Sequence, residues 1–504
     1  MSDATFTERR AVGLRSERGP VLAAVMLSTG LVALDSTIIA TAVPSVVRDL
    51  GGFSHFPWLF SVYLLTQAVT TPLYGKLSDV LGRRPVMFAG IAAFLLGSVL
   101  CGFAWSMLTL IVFRAVQGIG AGAISPMSMT IIGDLYTVEE RARVQGYVAG
   151  VWGVSSVIGP TLGGVFADYL SWRWIFFVNI PLGLVAAWML ARNLKERVER
   201  REHRIDYLGA SLLVTGCTLL ILGTLEGGTT WAWTSAPSVT IFTVGTVLMV
   251  AFWFVERRAA EPVLPLWVFR HRTLISGNLT ALVVGALLIG LTSYVPNFAQ
   301  GVLGASAVVA GFAVAAMTLG WPIAATLSGR IYLRIGFRDT ALTGGAALIA
   351  GTVMCALLGR YTGIPVLAVA CFVVGVGLGL TSSPNLVAVQ SVVGWDRRGV
   401  VTGTNMFFRS IGSAVGAAVF GAIANATLEQ RFAAAPEDVR ERLGDGVDAT
   451  DVVLKATDTP PAVLDYARGS LYAATHHVFV GLAVVAVLGV GALLLMPRRT
   501  TPLP

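Results

Sequence analysis

Long apolar runs dominate this sequence, and they constrain its fold more than any other feature. Fourteen runs can be marked, each bounded by charged residues or by glycine and proline clusters. A transmembrane helix needs about 20 mostly apolar residues. Hydrophobic residues make up 55% of the 504 positions and charged residues only 13%, whereas a soluble domain typically carries about 25% charged residues. The sequence therefore predicts an all-α membrane protein with fourteen transmembrane helices. The predicted spans are 20–44, 57–75, 85–104, 107–132, 144–167, 172–192, 207–226, 237–255, 273–295, 305–328, 340–359, 364–384, 399–426 and 475–496.

Loop charges predict the orientation of the chain. With the N-terminus in the cytoplasm, 26 of the 36 basic residues fall on the cytoplasmic side, and the six short loops on the other side hold three. Cytoplasmic loops of membrane proteins carry such an excess. We therefore predict a multi-pass protein of the cell membrane, inner or plasma, with both termini cytoplasmic. The same pattern accounts for the net charge of +8, so no nucleic-acid partner is predicted.

An internal duplication predicts the domain organisation. Gly75–Arg84 after the second span matches Gly329–Arg338 after the tenth at an offset of 254, and glycines of the fourth and twelfth spans match at an offset of 257. Because the offset covers eight spans, the two halves have the same orientation, as in transporters built from parallel repeats. The predicted parts are a cytoplasmic tail (1–19), an N-terminal six-helix bundle (20–205), two linking transmembrane helices (206–256), a C-terminal six-helix bundle (257–497) that includes an extracytoplasmic loop (427–474), and a cytoplasmic tail (498–504). Within that loop, Glu437 to Leu443 is predicted to form a short amphipathic helix.

Two motifs combine glycines with charged residues. The loop GKLSDVLGRR contains Gly75, Asp79, Gly82, Arg83 and Arg84. Its glycines permit a tight turn between helices, and its acid and arginines can form switchable ion pairs. The fourth span contains the motif RAVQGIGAG, which begins at Arg114. An arginine at membrane depth is costly and is by default a hypothesis for a functional site.

Two further motifs lie in the fifth and first spans. The fifth contains GVSSVIGPTLGG, in which Pro160 removes a backbone donor and can bend the helix, while small residues let neighbouring helices approach. The glycines of this motif are Gly153, Gly159, Gly163 and Gly164. The first span contains LDSTIIATAVP, which includes Asp35. No other acid lies at membrane depth away from a span end.

These four motifs resemble those of the major facilitator superfamily, and specifically its fourteen-span drug:proton antiporter branch. The resemblance covers nearly the whole chain and implies two six-helix bundles, two linking helices and alternating access. It implies that the loop Gly75–Arg84 helps to hold the state open to the outside, that Arg114 takes part in proton coupling, and that the fifth-span motif marks an exporter. Val80 and Leu333 depart from the usual pattern, so any ion-pair lock should depend mainly on the N-terminal half.

Asp35 is the central residue of the functional hypothesis. It lies about 20 Å along its helix at 1.5 Å per residue. Burial favours a neutral carboxyl and a neighbouring Arg114 favours a charged one, so Asp35 could load and release a proton as access alternates. A static buried ion pair is the alternative interpretation. The resemblance also implies substrate contacts at Tyr63, Gln67, Gln117, Trp152, Tyr294, Asn297, Asn405, Phe408 and Arg409.

The functional prediction is a proton-coupled multidrug exporter of lipophilic, neutral or monocationic compounds, which would confer antibiotic resistance. The alternative is a dedicated exporter of an endogenous metabolite, antibiotic, siderophore or lipid. The proton gradient is the predicted energy source, with no cofactor, because no phosphate-binding loop occurs. The four cysteines form no CxxC pair, so no metal site is predicted. An enzyme is disfavoured because the five histidines lie in loops or at helix ends. The predicted partners are substrates, protons and the lipid bilayer, and the family functions as monomers.

Overall fold

Fourteen long helices account for most of the residues that the structure describes. The computed structural model describes residues 13–51, 55–196, 206–227, 231–436 and 461–501. The helices are α1 Gly19–Leu50, α2 Trp58–Leu81, α3 Arg83–Gly102, α4 Met107–Leu135, α5 Val138–Val165, α6 Trp174–Asn193 with an interruption at Val178, α7 Tyr207–Glu226, α8 Ala236–Glu256, α9 Arg272–Asn297, α10 Ala307–Ile335, α11 Phe337–Ala356, α12 Ile364–Ser391, α13 Arg398–Ala433 and α14 Pro461–Leu494. Thirteen of them are long and apolar enough to cross a membrane, and α2, with 24 residues, is the helix outside that set. The predicted all-α membrane fold is confirmed.

Several helices extend beyond the predicted spans. The largest difference is at α14, which begins at Pro461 instead of residue 475, and α13 continues past its predicted end to Ala433. The predicted loop 427–474 is therefore shorter at both ends, and its proposed helix Glu437 to Leu443 lies outside the described residues. Hydrophobicity marks only the part of a helix that crosses the hydrocarbon, so polar turns that project beyond it were missed.

The helices pack as two bundles with a linking pair between them. In the first bundle, α1 packs on α5 and α6, and α4 packs on α2 and α3. In the second, α12 packs on α10 and α11, and α9 packs on α13 and α14. The linking helices α7 and α8 pack on each other, and α7 also contacts α2 and α13. Apolar side chains fill the interior of each bundle and the seam along the linking pair.

The duplicated glycines occupy equivalent contacts in the two bundles. A Cβ atom at Gly120 of α4 would lie 2.3 Å from the backbone nitrogen of Phe94 in α3. A Cβ atom at Gly377 of α12 would lie 2.7 Å from the backbone nitrogen of Leu348 in α11. Only a residue without a side chain permits such approach, so the repeated glycines set the same helix spacing twice.

The two bundles meet at one end of the helix array, which we call the turn end. It holds the α2–α3 turn at Gly82 and the α10–α11 turn at Gly336, where φ is +98° and +88°, in the region that favours glycine. Here α2 crosses α13, and a Cβ atom at Gly75 would lie 2.7 Å from the carbonyl oxygen of Gly399. On the opposite side α10 crosses α5, where a Cβ atom at Gly329 would lie 2.5 Å from the carbonyl oxygen of Ala142. The bundles are thus in backbone-level contact at the turn end.

Candidate functional site

A buried polar network surrounds Asp35 inside the first bundle. Asp35 of α1 and Arg114 of α4 are each only 1% exposed. The Nη1 atom of Arg114 donates to Oδ2 of Asp35 at 2.6 Å, and Nε2 of Gln117 donates to Oδ1 at 2.8 Å. A weaker bond of 3.2 Å reaches the same Oδ1 from Nδ2 of Asn179 in α6. Both oxygens of the carboxyl are therefore hydrogen-bonded, as a buried charge requires.

Arg114 makes several contacts in addition to its ion pair with Asp35. Its guanidinium lies 4.1 Å from the centre of the Tyr63 ring of α2, and its Nε donates to the carbonyl oxygen of Leu59 at 3.2 Å. Nη1 also donates to Oε1 of Gln117 at 2.7 Å. Arginine suits such a site because its planar group can stack on an aromatic ring and donate in several directions. The network thus ties α2 to α1 and α4.

Two members of the network, Ser98 and Asn179, were not predicted from the sequence. The Oγ of Ser98 in α3 accepts from Gln117 at 2.7 Å and from Asn179 at 3.3 Å. Both residues are completely buried. A serine within an apolar run is too common to indicate a functional site. Asn179 could have been recognised, because an amide side chain within a predicted span is unusual. The hydroxyl of Tyr63 and Oδ1 of Asn179 are buried without a hydrogen-bond partner among the described residues.

The structure separates the predicted substrate contacts into different environments. Tyr63 and Gln117 are 2% exposed or less and lie inside the Asp35 network, so in this conformation they support the ion pair and are not open to a substrate. Gln67 is half-buried and donates to Ser125 at 3.3 Å. Trp152 of α5 is 40% exposed, and it remains available to a substrate.

The remaining candidates lie in the second bundle. Nδ2 of Asn405 donates to the carbonyl oxygen of Gly277 in α9 at 2.9 Å, which is a helix-packing contact. Phe408 packs against Phe269 beside the linking pair and away from the Asp35 network. Tyr294 is half-buried against the core of the second bundle, and Asn297 is exposed at the end of α9. Arg409 is half-buried, and it has no carboxylate partner within the described part of the chain.

A second charged network joins the bundles at the turn end. Asp79 of α2 pairs with Arg83 at 2.9 Å, and its two oxygens accept from the backbone nitrogens of Gly399 and Val400 at 2.8 Å each. A carboxylate in this position caps the N-terminus of α13, where four backbone donors lack helical partners. Asp79 of the loop Gly75–Arg84 therefore binds the second bundle directly.

Arg83 extends this network to α4. Its Nε donates to Asp134 at 2.9 Å, its guanidinium lies 4.0 Å from the centre of the Trp395 ring, and Arg398 reaches Asp134 from the other side at 3.0 Å. Arg84 points elsewhere and donates to the carbonyl oxygen of Ala191 in α6 at 3.1 Å. The sequence identified Asp79 and Arg83, but it did not predict that Asp134 would bridge arginines of both bundles.

The α5–α10 contact lacks an equivalent ion pair within the described residues. Arg141, which matches Arg398 in the duplication, is buried and donates to the backbone carbonyls of Tyr136 and Gly133. The hydroxyl of Tyr332 donates to the carbonyl of Val138 at 3.1 Å. Leu333 occupies the position that matches Asp79. This asymmetry agrees with the expectation that the ion-pair network depends on the N-terminal loop.

Two glycines of the fifth-span motif contact α1. A Cβ atom at Gly159 would lie 2.0 Å from Oγ1 of Thr37, and one at Gly163 would lie 2.4 Å from the carbonyl oxygen of Ile38. Gly153 approaches Pro322 of α10 more loosely, at 3.5 Å, and Gly164 has no atom within 4 Å. Pro160 lies inside α5, which continues to Val165. The motif therefore sets the distance between α1, which carries Asp35, and α5, which contacts the second bundle.

Gly163→Ala is expected to destabilise the protein by about 1–3 kcal/mol, because the added methyl overpacks the α1–α5 contact. Gly164→Ala is the matched control, since both substitutions gain the same helix propensity and only the first creates a clash. Thermal unfolding of the two purified variants in detergent measures the difference. Equal midpoints would mean that α1 and α5 are not in close contact at Gly163.

Comparisons with known proteins agree with this architecture. The sequence profile of the Major Facilitator Superfamily matches residues 25–417. The multidrug transporter protein MdtP of Bacillus subtilis is 36% identical over 414 residues, covering 82% of this chain and 76% of that protein. Multidrug resistance protein 3 of the same organism is 33% identical over 485 residues and covers 95% of both chains.

A solved structure has the same fold. The human organic anion transporter MFSD10 superposes with a TM-score of 0.62 at 16% identity, over 95% of this chain and 99% of that one. The relatives are transporters and not enzymes. The fourteen-helix organisation and the motifs are consistent with the branch indicated by the sequence. The chain is a multi-pass membrane transporter that belongs to the major facilitator superfamily.

Proposed function

We propose that this protein is a proton-coupled exporter of lipophilic small molecules, with Asp35 as its proton carrier. The observation that carries the proposal is the buried carboxyl of Asp35, which is hydrogen-bonded by Arg114, Gln117 and Asn179 on two other helices. Burying a titratable group at membrane depth costs free energy, so such a group is by default a hypothesis for a functional site. The names of the bacterial relatives, both multidrug proteins, support export of small molecules.

Protonation of Asp35 would change the packing around it. A neutral carboxyl no longer balances the charge of Arg114, so the 2.6 Å contact between them would lose most of its attraction. Two residues further along α1, Oγ1 of Thr37 donates to the carbonyl oxygen of Ser155 in α5 at 3.0 Å. Because α5 also contacts α10 of the second bundle, a movement of α1 can reach the interface between the bundles. This path supports coupling between proton binding and bundle rocking.

The charge pattern of the loops supports a cytoplasmic location for the turn end. With both termini cytoplasmic, bundles joined at the turn end would leave the opposite end as the side of release. Breaking the Asp79 and Asp134 contacts and closing the opposite end would give the inward-open state. Two halves with parallel orientation suit this exchange. A single chain contains every group that the mechanism requires, so we propose a monomer.

The substrates we propose are neutral or carry one positive charge. Asp35 is already paired with Arg114, so the network offers one negative charge at most, and only after Arg114 moves. Arg409 adds a positive charge in α13 without a carboxylate partner in the described residues. A second positive charge on a substrate would therefore be buried without compensation.

Transport by purified protein in liposomes tests the function. We expect an imposed pH gradient to drive accumulation of a lipophilic monocation, accompanied by counterflow of protons, and a protonophore to abolish it. A dication of similar size should be transported poorly. Accumulation that continues with the gradient collapsed would refute proton coupling, and preference for the dication would refute the substrate class. An efflux panel in a pump-deficient host, with and without protonophore, then identifies substrates.

A further inference from the structure

A separate cavity lies beside the linking helices. It has a volume of about 240 Å³ and is bounded by α7, α8, the segment that leads to α9, and α13. Residues that form its walls include Leu213, Phe252, Glu256, Phe269, Phe407 and Phe408. An apolar cavity of about 150 Å³ in another protein is large enough to bind benzene. This one can accommodate a larger apolar group.

Aromatic rings form much of the wall. The Phe269 and Phe408 ring centres are 6.0 Å apart, and those of Phe407 and Phe408 are 6.4 Å apart. Phe252 and Phe407 are buried deep in the cavity, whereas Trp253 and Phe269 are 46% and 37% exposed at its mouth. Beside Trp253, the apolar residues Val250 and Phe254 of α8 are also exposed, and such an apolar surface would face lipid in a membrane. Aromatic faces attract organic cations, so this wall can bind a cationic group as well as a hydrocarbon chain.

One acidic side chain faces this apolar space. Glu256 at the end of α8 is 3% exposed. Its Oε1 accepts from the backbone nitrogens of Val263 and Leu264 at 3.0 and 3.3 Å. Its Oε2 is buried without a hydrogen-bond partner in the part of the chain described. A buried acceptor left unpaired is unfavourable, and a donor supplied by a ligand would satisfy it.

The surroundings of Glu256 are negative. Oδ1 of Asp206 caps the start of α7 through Gly209 at 2.8 Å, while Oδ2 is buried and unpartnered within the described residues. A Cβ atom at Gly209 would lie 2.3 Å from that Oδ2 and 3.3 Å from Oε1 of Glu256, so the two acids flank one glycine. The nearby base Lys76 pairs with Glu261 at 3.4 Å. Charge complementarity therefore favours a cationic occupant.

We propose that this cavity binds an amphipathic organic ammonium compound from the lipid phase, with its apolar part among the phenylalanines and its ammonium group on Oε2 of Glu256. A neutral amphiphile would leave this acid without a partner. A phosphatidylethanolamine headgroup fits less well, because its phosphate would approach Glu256 and Asp206. The site is distinct from the Asp35 network, and it goes beyond the proposed function because binding here requires no proton coupling.

Photolabelling of the full-length protein in nanodiscs tests the proposal. The probes are dodecylamine and dodecanol carrying the same diazirine, in nanodiscs of phosphatidylcholine and phosphatidylglycerol at pH 7. We expect the amine to label peptides from α8, the 266–269 segment and α13 about tenfold more than the alcohol, as one charge-assisted hydrogen bond would give. Glu256→Gln should remove this preference, because the amide keeps an acceptor for the two backbone donors but loses the charge. Glu226→Gln, at the other end of the linking pair, is the matched control and should retain it.

Competition and a second variant keep the test decisive. Unlabelled dodecylamine should suppress labelling of the wild-type protein and dodecanol should not, which requires no substitution in the cavity. Labelling should persist in Asp35→Asn, so failure of proton coupling and failure of this site are distinguishable. Equal labelling by amine and alcohol, an unchanged preference in Glu256→Gln, or loss of labelling in nanodiscs containing phosphatidylethanolamine would overturn the proposal.

Discussion

Asp35→Asn is expected to reduce pH-driven transport to the background of protein-free liposomes. The substitution retains the size of the side chain and an acceptor for Arg114, but it removes the group that can bind and release a proton. Counterflow of protons should disappear with accumulation of the substrate, while equilibrium exchange of substrate without a gradient persists. The measurement is transport in proteoliposomes with an imposed pH gradient, normalised to the amount of inserted protein.

Two controls separate proton coupling from structural damage. Asp49→Asn makes the same chemical change on the same helix, where the acid is 51% exposed and paired with Arg173, and it should transport normally. Breaking one side of a buried ion pair is costly, so the double variant Asp35→Asn/Arg114→Gln should recover thermal stability and remain uncoupled. If Asp35→Asn transports at the wild-type rate under a gradient, Asp35 is a static member of an ion pair and the proposed mechanism is wrong.

Asp79→Asn is expected to slow transport about tenfold or more, since charge-assisted hydrogen bonds contribute about 1.5–3 kcal/mol and 1.4 kcal/mol corresponds to a factor of ten. Asp79 is buried and joins Arg83 to the first backbone donors of α13. Without its charge, the turn end should open more often. A Val400→Cys reporter, at a position that is 5% exposed, should then react faster with a water-soluble maleimide.

The second copy of the loop provides the matched comparison. Arg330 corresponds to Lys76 and Arg334 to Val80 in the first copy, and both arginines are exposed. Arg330→Ala and Arg334→Ala should leave transport and reporter reactivity close to the starting protein. If these substitutions slow transport as much as Asp79→Asn does, both copies contribute equally to holding the turn end, contrary to the asymmetry of the ion pairs.

The sequence alone determined the class of fold and identified the two charged residues at the centre of the buried network. Apolar runs specify membrane helices because hydrocarbon excludes unsatisfied backbone groups, and that information is local. Asp35 and Arg114 were identified for the same reason, since a charge inside such a run is conspicuous without knowledge of its neighbours. Loop glycines such as Gly82 were likewise recognisable from local sequence.

Only the tertiary structure decided which side chains meet. Gln117 and Tyr63 were assigned to substrate, but the rotation of α4 and α2 turns them toward Asp35 and Arg114. Ser98 and Asn179 complete the network from α3 and α6, and nothing in an apolar pattern fixes the angle at which those helices face α1. The cavity at Glu256 unites residues about 200 positions apart, from Leu213 to Phe408. Hydropathy encodes how far a helix extends through the membrane, whereas its rotation and partners depend on packing between distant segments.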